Sequence, residues 1–433
     1  MRTVSKTVIG VDFGTQSARA VLVNAENGEI IYSCRKEYPY NSTPVPAIDC
    51  AENLPCATDY EMTLYELLRN VIPEEYRKTV AGICVDATSL TMVLLAEDGR
   101  ALSELDGWSE AAHARVKLWK YHRAQEKADE ALNLARNLQE PFLGRTGGSI
   151  SCEWMLPKLL EVRDEAPEIY SKIDLAMDLC EFLTFRLTGQ LVRSIGSLSY
   201  KCLWAEDLSF PERTFLNGLR AGFYEEYCHF LRGDVRKLGE CAGVLRSELT
   251  KRWGLPEQIP VATGMLDGHT SLATMGAFEP GDAALIVGTS NVCTVQDRKL
   301  QELKDVCGVA QDGMVTGSCG IDTGQSSTGN MLGWFVEHMA GWQIHREAEE
   351  RKISPHQVLA ERIQKPWENK VIAVDWWSGS RNAPCDLTLR GSMSGLEMDT
   401  KTEDIYLALL QAIACGTGTI LESLSGQGVE IGR

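Results

Sequence analysis

A chain of 433 residues, 44% hydrophobic and 24% charged, is too long for one ordinary core and implies two or three domains of a soluble globular protein. Its net charge of −17 repels nucleic acid and anionic lipid and argues against either as a partner. The same field repels a nucleotide, so a nucleotide site here needs backbone donors, an Arg or Lys, and a divalent cation.

In chain order, short apolar strands are predicted at 8–13, 18–23 and 29–38, with Asn27-Gly28 as a tight turn. Helical periodicity follows at 59–70, with Met62, Tyr65, Leu67 and Leu68 near one face. Strands at 80–85 and 91–96 come next, then a long helix over 111–137 and helices at 153–162, 178–188 and 211–219. A second block opens near Gly239, with a strand at 259–264 running into Met265-Leu266-Asp267-Gly268. A strand at 283–287 ends in Gly288-Thr289-Ser290 and returns at 292–296. Both blocks thus carry a strand, a Gly-Thr turn and a returning strand: VIGVDFGTQSARAVLV and ALIVGTSNVCTV. Two α/β halves are expected, residues 1–240 and 241–433.

The apolar segment 406–424 reads as a buried helix, since Gln411 and its Gly/Thr punctuation interrupt it. Thr400 and Glu403 form its expected capping box, and Gly426 or Gly428 its end. Residues 429–433 look like the approach to a further strand. The 14 Cys are scattered, with neither CxxC nor zinc spacing, and read as reduced thiols in a cytoplasmic protein. The N-terminus has no signal-peptide pattern.

Three features carry chemistry. In Asp12-Phe13-Gly14-Thr15-Gln16-Ser17-Ala18-Arg19, Gly14 lets the backbone approach a phosphate closely. Backbone N–H groups with the Thr15 and Ser17 hydroxyls form an anion nest. Arg19 adds charge, and Asp12 suits Mg²⁺ held through water. The bland alternative is a hairpin with a satisfied Asp. No Walker loop or GxGxxG accompanies it. Gly288-Thr289-Ser290 alone is a turn, and its weight comes from mirroring the first. Asp267 follows an apolar strand beside Gly268, where a carboxylate reaches a site and can take a hydroxyl proton. His269, His113 and His122 read as packing residues, and Asp86 and Asp322 alone as turn or cap residues. Lys201, between Tyr200 and Trp204, is a snorkelling lysine or a sugar-hydroxyl donor.

Taken in order, these motifs resemble the FGGY carbohydrate kinases. GVDFGTQSARAVLV, HARVKLWKYHRAQ, GGSISCEWMLPKLL, SYKCLW, GMLDGHTSLATMGA, GTSNVC, GIDTGQSSTGNMLGWF and DWWSGSRNAPCDLTLRG follow one another as in that family. The Leu-Trp-Lys-x-His spacing is similar to the branch that phosphorylates ribulose. The resemblance implies two ribonuclease-H-like domains of the actin, hexokinase and Hsp70 superfamily around a central cleft, with ATP and Mg²⁺ as cofactors. It implies Asp267 as catalytic base, and Asp12 with Asp267 at the metal. Gly14, Thr15, Gln16, Ser17 and Arg19 would bind nucleotide phosphates, as would Gly288, Thr289, Ser290 and Gly329. Ser89, Lys201, Asp267 and Asp322 would line the sugar site.

Two positions depart from that branch. Asp322 stands where Glu is typical, and Ser89 where a small apolar residue is typical, which bears on the exact sugar. Xylulose, ribitol and glycerol kinases of the family are the alternatives, as is an inactive or regulatory sugar-binding fragment. Family members continue past Arg433 through a segment lying against adenosine. This chain is therefore expected to bind nucleotide weakly and to have reduced stability. The partners implied are a small sugar and ATP, with a homodimer as an admissible assembly.

Overall fold

The computed structural model describes residues 5–38, 54–364, 368–381, 385–386 and 388–433. Four residues of the late DWWSGSRNAPCDLTLRG motif, 382–384 and 387, lie outside the described residues. The chain divides into two compact units. The first comprises Met1–Leu143, Ile150–Thr274 and Ala310–Cys319; the second comprises Gly144–Ser149, Met275–Val309 and Gly320–Arg433.

The first unit begins with β1 (Thr7–Phe13), β2 (Ser17–Asn24), β3 (Ile30–Glu37), α1 (Ala57–Asn70), β4 (Val80–Ala87) and β5 (Met92–Leu95). It continues with α2 (Gln125–Leu138), α3 (Met155–Glu165), α4 (Pro167–Tyr170), β6 (Leu175–Asp178), α5 (Leu179–Thr188), β7 (Val192–Ser194) and α6 (Ile195–Lys201). Then come α7 (Arg213–Leu219), α8 (Phe223–Phe230), β8 (Asp234–Arg236), β9 (Cys241–Val244), α9 (Ser247–Trp253), β10 (Pro260–Ala262), β11 (Met265–Leu266) and α10 (Asp267–Met275).

Its main sheet runs β3-β2-β1-β4-β10-β9, with β11 also paired to β4. The first three strands are antiparallel, and β4 lies parallel to β1, β10 and β11. Strand alternation sets the layers: Ile9, Val11 and Phe13 of β1 and Ile83 and Val85 of β4 enter a core with α1 and α5. Asp12 and Asp86 fall on the other face. A second core gathers α2, α3, α7 and α8 around Met92, Leu94 and Ala176.

Several expectations shift. The division placed at 240 falls inside this unit, because β9 and β10 complete the sheet that begins with β1. The helix read over 111–137 forms only as α2. Upstream of it Lys117 exchanges backbone hydrogen bonds with Met92, at 2.9 and 3.1 Å, and so extends the edge of β5. Met62 is 69% exposed; the buried stripe of α1 is Ala57, Tyr60, Leu64, Leu67 and Leu68, the true i, i+3, i+4 set. The strand read at 259–264 breaks into β10 and β11. A Cβ at Gly264 would lie 2.6 Å from the Cys180 carbonyl oxygen, so only glycine lets the chain pass α5 there.

A four-stranded sheet, β12 (Ala283–Val287), β13 (Asn291–Asp297), β15 (Cys319–Gln325) and β14 (Gly308–Gln311) in that order, belongs to the second unit except for Ala310, Gln311 and Cys319. Helices α11 (Gly329–Met339), α12 (Gly341–Arg351), α13 (Pro355–Arg362) and α14 (Thr402–Gly426) and the ribbon β16 (Ile372–Val374) with β17 (Ser392–Ser394) complete that unit. Its core joins Met331, Phe335, Ile344, Val358, Tyr406 and Leu409.

Helix α14 is, among the described residues, long and apolar enough to cross a membrane by length and composition, and only 33% of its apolar window is buried. It is buried along a stripe, Tyr406 to Leu409, Ala412, Ile420 and Leu424, against α11, α13 and β16. Its capping residue is Lys401, whose N–H donates to Asp404 at 2.9 Å. Thr400 Oγ1 accepts from Glu397 N–H at 2.8 Å instead, which takes it out of the expected Thr400–Glu403 box. The last residues run beside the start of β12: Ala283 N–H donates to the Arg433 carbonyl at 2.8 Å, and Gly432 N–H to that of Gly281 at 2.8 Å. No described cysteine joins a zinc-like cluster, and Cys34, Cys84, Cys180, Cys202 and Cys293 are free of disulfide bonds.

Candidate active site

In the first unit, parallel pairing brings three carboxylates to the C-terminal ends of neighbouring strands. Asp12 of β1 stands opposite Asp86 of β4, and Asp86 is in register with Met265 of β11, two residues before Asp267. Ligands of open α/β sheets bind at such strand ends. Asp86 is therefore a strand residue paired opposite Asp12, rather than the turn residue its sequence suggests. Burial raises the pKa of Asp86, and the neighbouring Asp12 and Asp267 carboxylates raise it further.

Asp267 opens α10, so MLDGH is a strand-to-helix junction. One Asp267 oxygen accepts from Gly268 N–H at 2.7 Å. Burial is the largest influence on this carboxyl, which is pushed up to about 7; the Gly268 hydrogen bond and Lys201 pull down, while Asp12 and Asp178 push up. His269 is 4% exposed and meets the Tyr200 ring edge-on, with centroids 4.9 Å apart, as a packing residue would.

The first Gly-Thr turn links β1 to β2. Gly14 N–H donates to the Ser17 carbonyl at 3.2 Å, and Thr15 and Gln16 form the tip. Tyr38 O–H donates to the Gly14 carbonyl at 2.9 Å, and Arg35 Nε–H to Ser17 Oγ at 3.0 Å. Arg19 is exposed on β2 directly across from Asp12. Trp119 of the LWKYH segment donates its indole N–H to Thr15 Oγ1 at 3.1 Å. That contact ties the segment's signature residue to the turn. Sequence reading gave Trp119 no role, because 104 residues separate the two.

Ser89 and Lys201 belong to the same unit as Asp267. Ser89 Oγ is buried and has no hydrogen-bond partner among the described residues. Lys201 ends α6 and is half-buried. Asp322 lies in the second unit, in buried β15, beside the Cys293 thiol, which burial and the Asp322 charge push up to about 11.

The second Gly-Thr turn, in the second unit, joins β12 to β13, with Gly288 N–H donating to the Ser290 carbonyl at 2.9 Å. The N-terminus of α11 docks on it. Gly329 N–H donates to the Gly288 carbonyl at 3.0 Å, and the N–H groups of Thr328 and Asn330 donate to that of Thr289 at 3.2 Å. A Cβ at Gly329 would stand 2.5 Å from the Gly288 carbonyl oxygen. Gly329 lies 41 positions after Gly288 and 40 after Thr289, yet the three form one structure. The first N–H groups of α11 are spent on the turn's carbonyls, so what this corner exposes is the turn backbone beside the positive end of the helix dipole. Below it, Asn291 Nδ2 donates to Gln325 at 2.6 Å and to Thr417 of α14 at 3.1 Å, and Gln325 donates to Asp375 at 2.6 Å.

Among the described residues no group of three or more His, Cys, Asp or Glu is placed to hold a metal ion. Asp12 and Asp86 do face each other across paired strands, and a cation carried largely by water and nucleotide would ease their repulsion.

The model of the FGGY carbohydrate kinase N-terminal domain matches residues 7–274, and that of the C-terminal domain residues 283–433. A ribulokinase from Halalkalibacterium halodurans is 34% identical over 437 residues, covering 99% of this chain and 78% of the relative. One from Mycolicibacterium smegmatis is 36% identical over 438 residues, covering 98% and 77%. Among solved structures, a xylulose kinase from Rhodospirillum rubrum superimposes with a TM-score of 0.74 at 20% identity, covering 99% of this chain and 80% of that one. Plasmodium falciparum glycerol kinase with ADP gives 0.76 at 16%, covering 99% and 80%. The fold is thus the two-domain, actin- and hexokinase-like fold of these enzymes, and the chain belongs to the FGGY family of carbohydrate kinases.

Proposed function

We propose that this sugar kinase transfers the terminal phosphoryl group of ATP to a hydroxyl of a ribulose-type ketopentose, with Asp267 as the base. The observation that carries the reading is Asp267 itself. It sits at a strand-to-helix junction beside Asp12 and Asp86, its carboxyl raised to about 7. A base with a pKa near the working pH accepts a hydroxyl proton most effectively. The sugar oxygen is the nucleophile, so no covalent enzyme intermediate forms. Asp267 orients that oxygen and takes its proton as the bond to phosphorus forms.

Ser89, Lys201 and Asp322 are the sugar contacts of this reading. The Gly14–Ser17 turn with Arg19 binds phosphate oxygens, as does the Gly288–Ser290 turn with Gly329. Asp12 and Asp267 would hold Mg²⁺, which screens the phosphate charge when bound. Ribulose is favoured by the curated relatives, whose names specify it, at 34% and 36% identity. The free thiols and strong negative charge suit a cytoplasmic enzyme acting on small molecules.

A panel of ribulose, xylulose, ribitol and glycerol in a coupled ADP-release assay tests the reading. Ribulose should give the highest kcat/KM. A higher value for any other member reassigns the sugar, and turnover of none removes the assignment.

A further inference from the structure

The residue after Ser89 adopts a backbone conformation that its type disfavours. Leu90 has φ 50°, in the left-handed region where a Cβ crowds the following carbonyl, yet its side chain is 1% exposed within the helical core. Glycine would ease the backbone and empty the core, so the turn is held by other means. Two charged side chains, both 0% exposed, grip it from either side. Asp178, the capping residue of α5, accepts from Leu90 N–H at 3.0 Å and Thr91 N–H at 3.1 Å. Lys158 of α3 donates to the Leu90 carbonyl at 2.9 Å and to that of Leu118, next to Trp119, at 2.9 Å. Asp178 also accepts from Ser197 Oγ at 2.8 Å, and Ser197 lies on α6, the helix that ends at Lys201.

We propose that Asp178 and Lys158 are positioning residues for sugar binding: they clamp the left-handed Leu90 turn that presents Ser89, and Asp178 fixes α6 and hence Lys201 in register with it. Neither needs to touch the sugar. The inference rests on Ser89 and Lys201 being sugar contacts.

The test measures ribulose affinity by calorimetry without nucleotide, ATP KM, and melting temperature, on the whole chain. Asp178→Asn leaves an N–H group facing buried donors, and Lys158→Met removes the buried donor to the Leu90 carbonyl, while that of Leu118 keeps the Tyr121 N–H at 3.1 Å. Each should weaken ribulose binding about tenfold while ATP KM stays within about twofold. Ser197→Ala removes one hydroxyl, folds as wild type, and should weaken ribulose about threefold; it carries the test if the first two variants do not fold. Ser89→Ala and Lys201→Met report on the underlying reading. If these two lose ribulose while Asp178→Asn and Ser197→Ala bind it normally, the clamp is refuted and the site assignment stands. If Ser89→Ala and Lys201→Met also bind normally, both fall. Equal losses in ribulose affinity and ATP KM, or a lowered melting temperature alone, would mark a merely structural role and overturn the proposal.

Discussion

Gly329→Ala offers a direct probe of the second phosphate turn. The added Cβ would lie 2.5 Å from the Gly288 carbonyl oxygen, and ordinary contact begins near 3.4 Å, so α11 must retreat by 0.9 Å or the turn must yield. Either movement stretches the Gly329 and Asn330 N–H bonds, at 3.0 and 3.2 Å, past useful length. Two such bonds at about 1 kcal/mol each plus about 1–3 kcal/mol of overpacking come to about 3–5 kcal/mol. That loss divides between stability and the turn's grip on phosphate. ATP KM at saturating ribulose should rise about tenfold, equivalent to 1.4 kcal/mol. The remaining ~1.6–3.6 kcal/mol should lower the melting temperature by roughly 3–14 °C. Ribulose affinity without nucleotide serves as the control and should hold. Unchanged ATP KM together with unchanged melting temperature would refute the view that the packing of α11 on this turn shapes the nucleotide site.

Replacing Asp267 by Ala should cut turnover at least ~100-fold, the usual worth of a general base, with ribulose binding still measurable by calorimetry; near-normal turnover would remove Asp267 from the chemistry. The raised Asp267 carboxyl, about 7 when folded against about 3.9 unfolded, gives two opposite pH slopes. Between these values the folded state holds a proton that the unfolded chain has lost, so this group's contribution to stability falls as pH rises. In melting scans from pH 5 to 8, Asp267→Asn should flatten that decline. Over the same window kcat/KM should rise with pH, because the base must be ionised to accept a proton; a flat activity profile from pH 5.5 to 8 would contradict the role. Trp119→Phe deletes the 3.1 Å bond to Thr15 Oγ1 and should raise ATP KM about fivefold with ribulose KM unchanged.

What the sequence by itself determined was local. Both Gly-Thr hairpins, β1–β2 and β12–β13, the helix predicted over 178–188, and β4 and β5 follow from turn residues and apolar patterning over a few residues. Such signals are short-ranged, so they survive in a single string. Tertiary structure decided whatever depends on partners distant in sequence. The 111–124 stretch has helical composition, yet Lys117 pairs with Met92 and stays extended, because a strand edge offered hydrogen bonds that outweighed propensity. Asp86 looks like a turn residue until parallel pairing sets it against Asp12, 74 positions away. Asp267 was singled out in the sequence as a strand-end carboxylate beside Gly268. Its elevated pKa was not legible there, since burial and the charges of Asp12, Asp178 and Lys201 arise only when β1, β6, α6 and β11 come together. Desolvation and Coulomb interaction act through space, and no spacing along the chain encodes them.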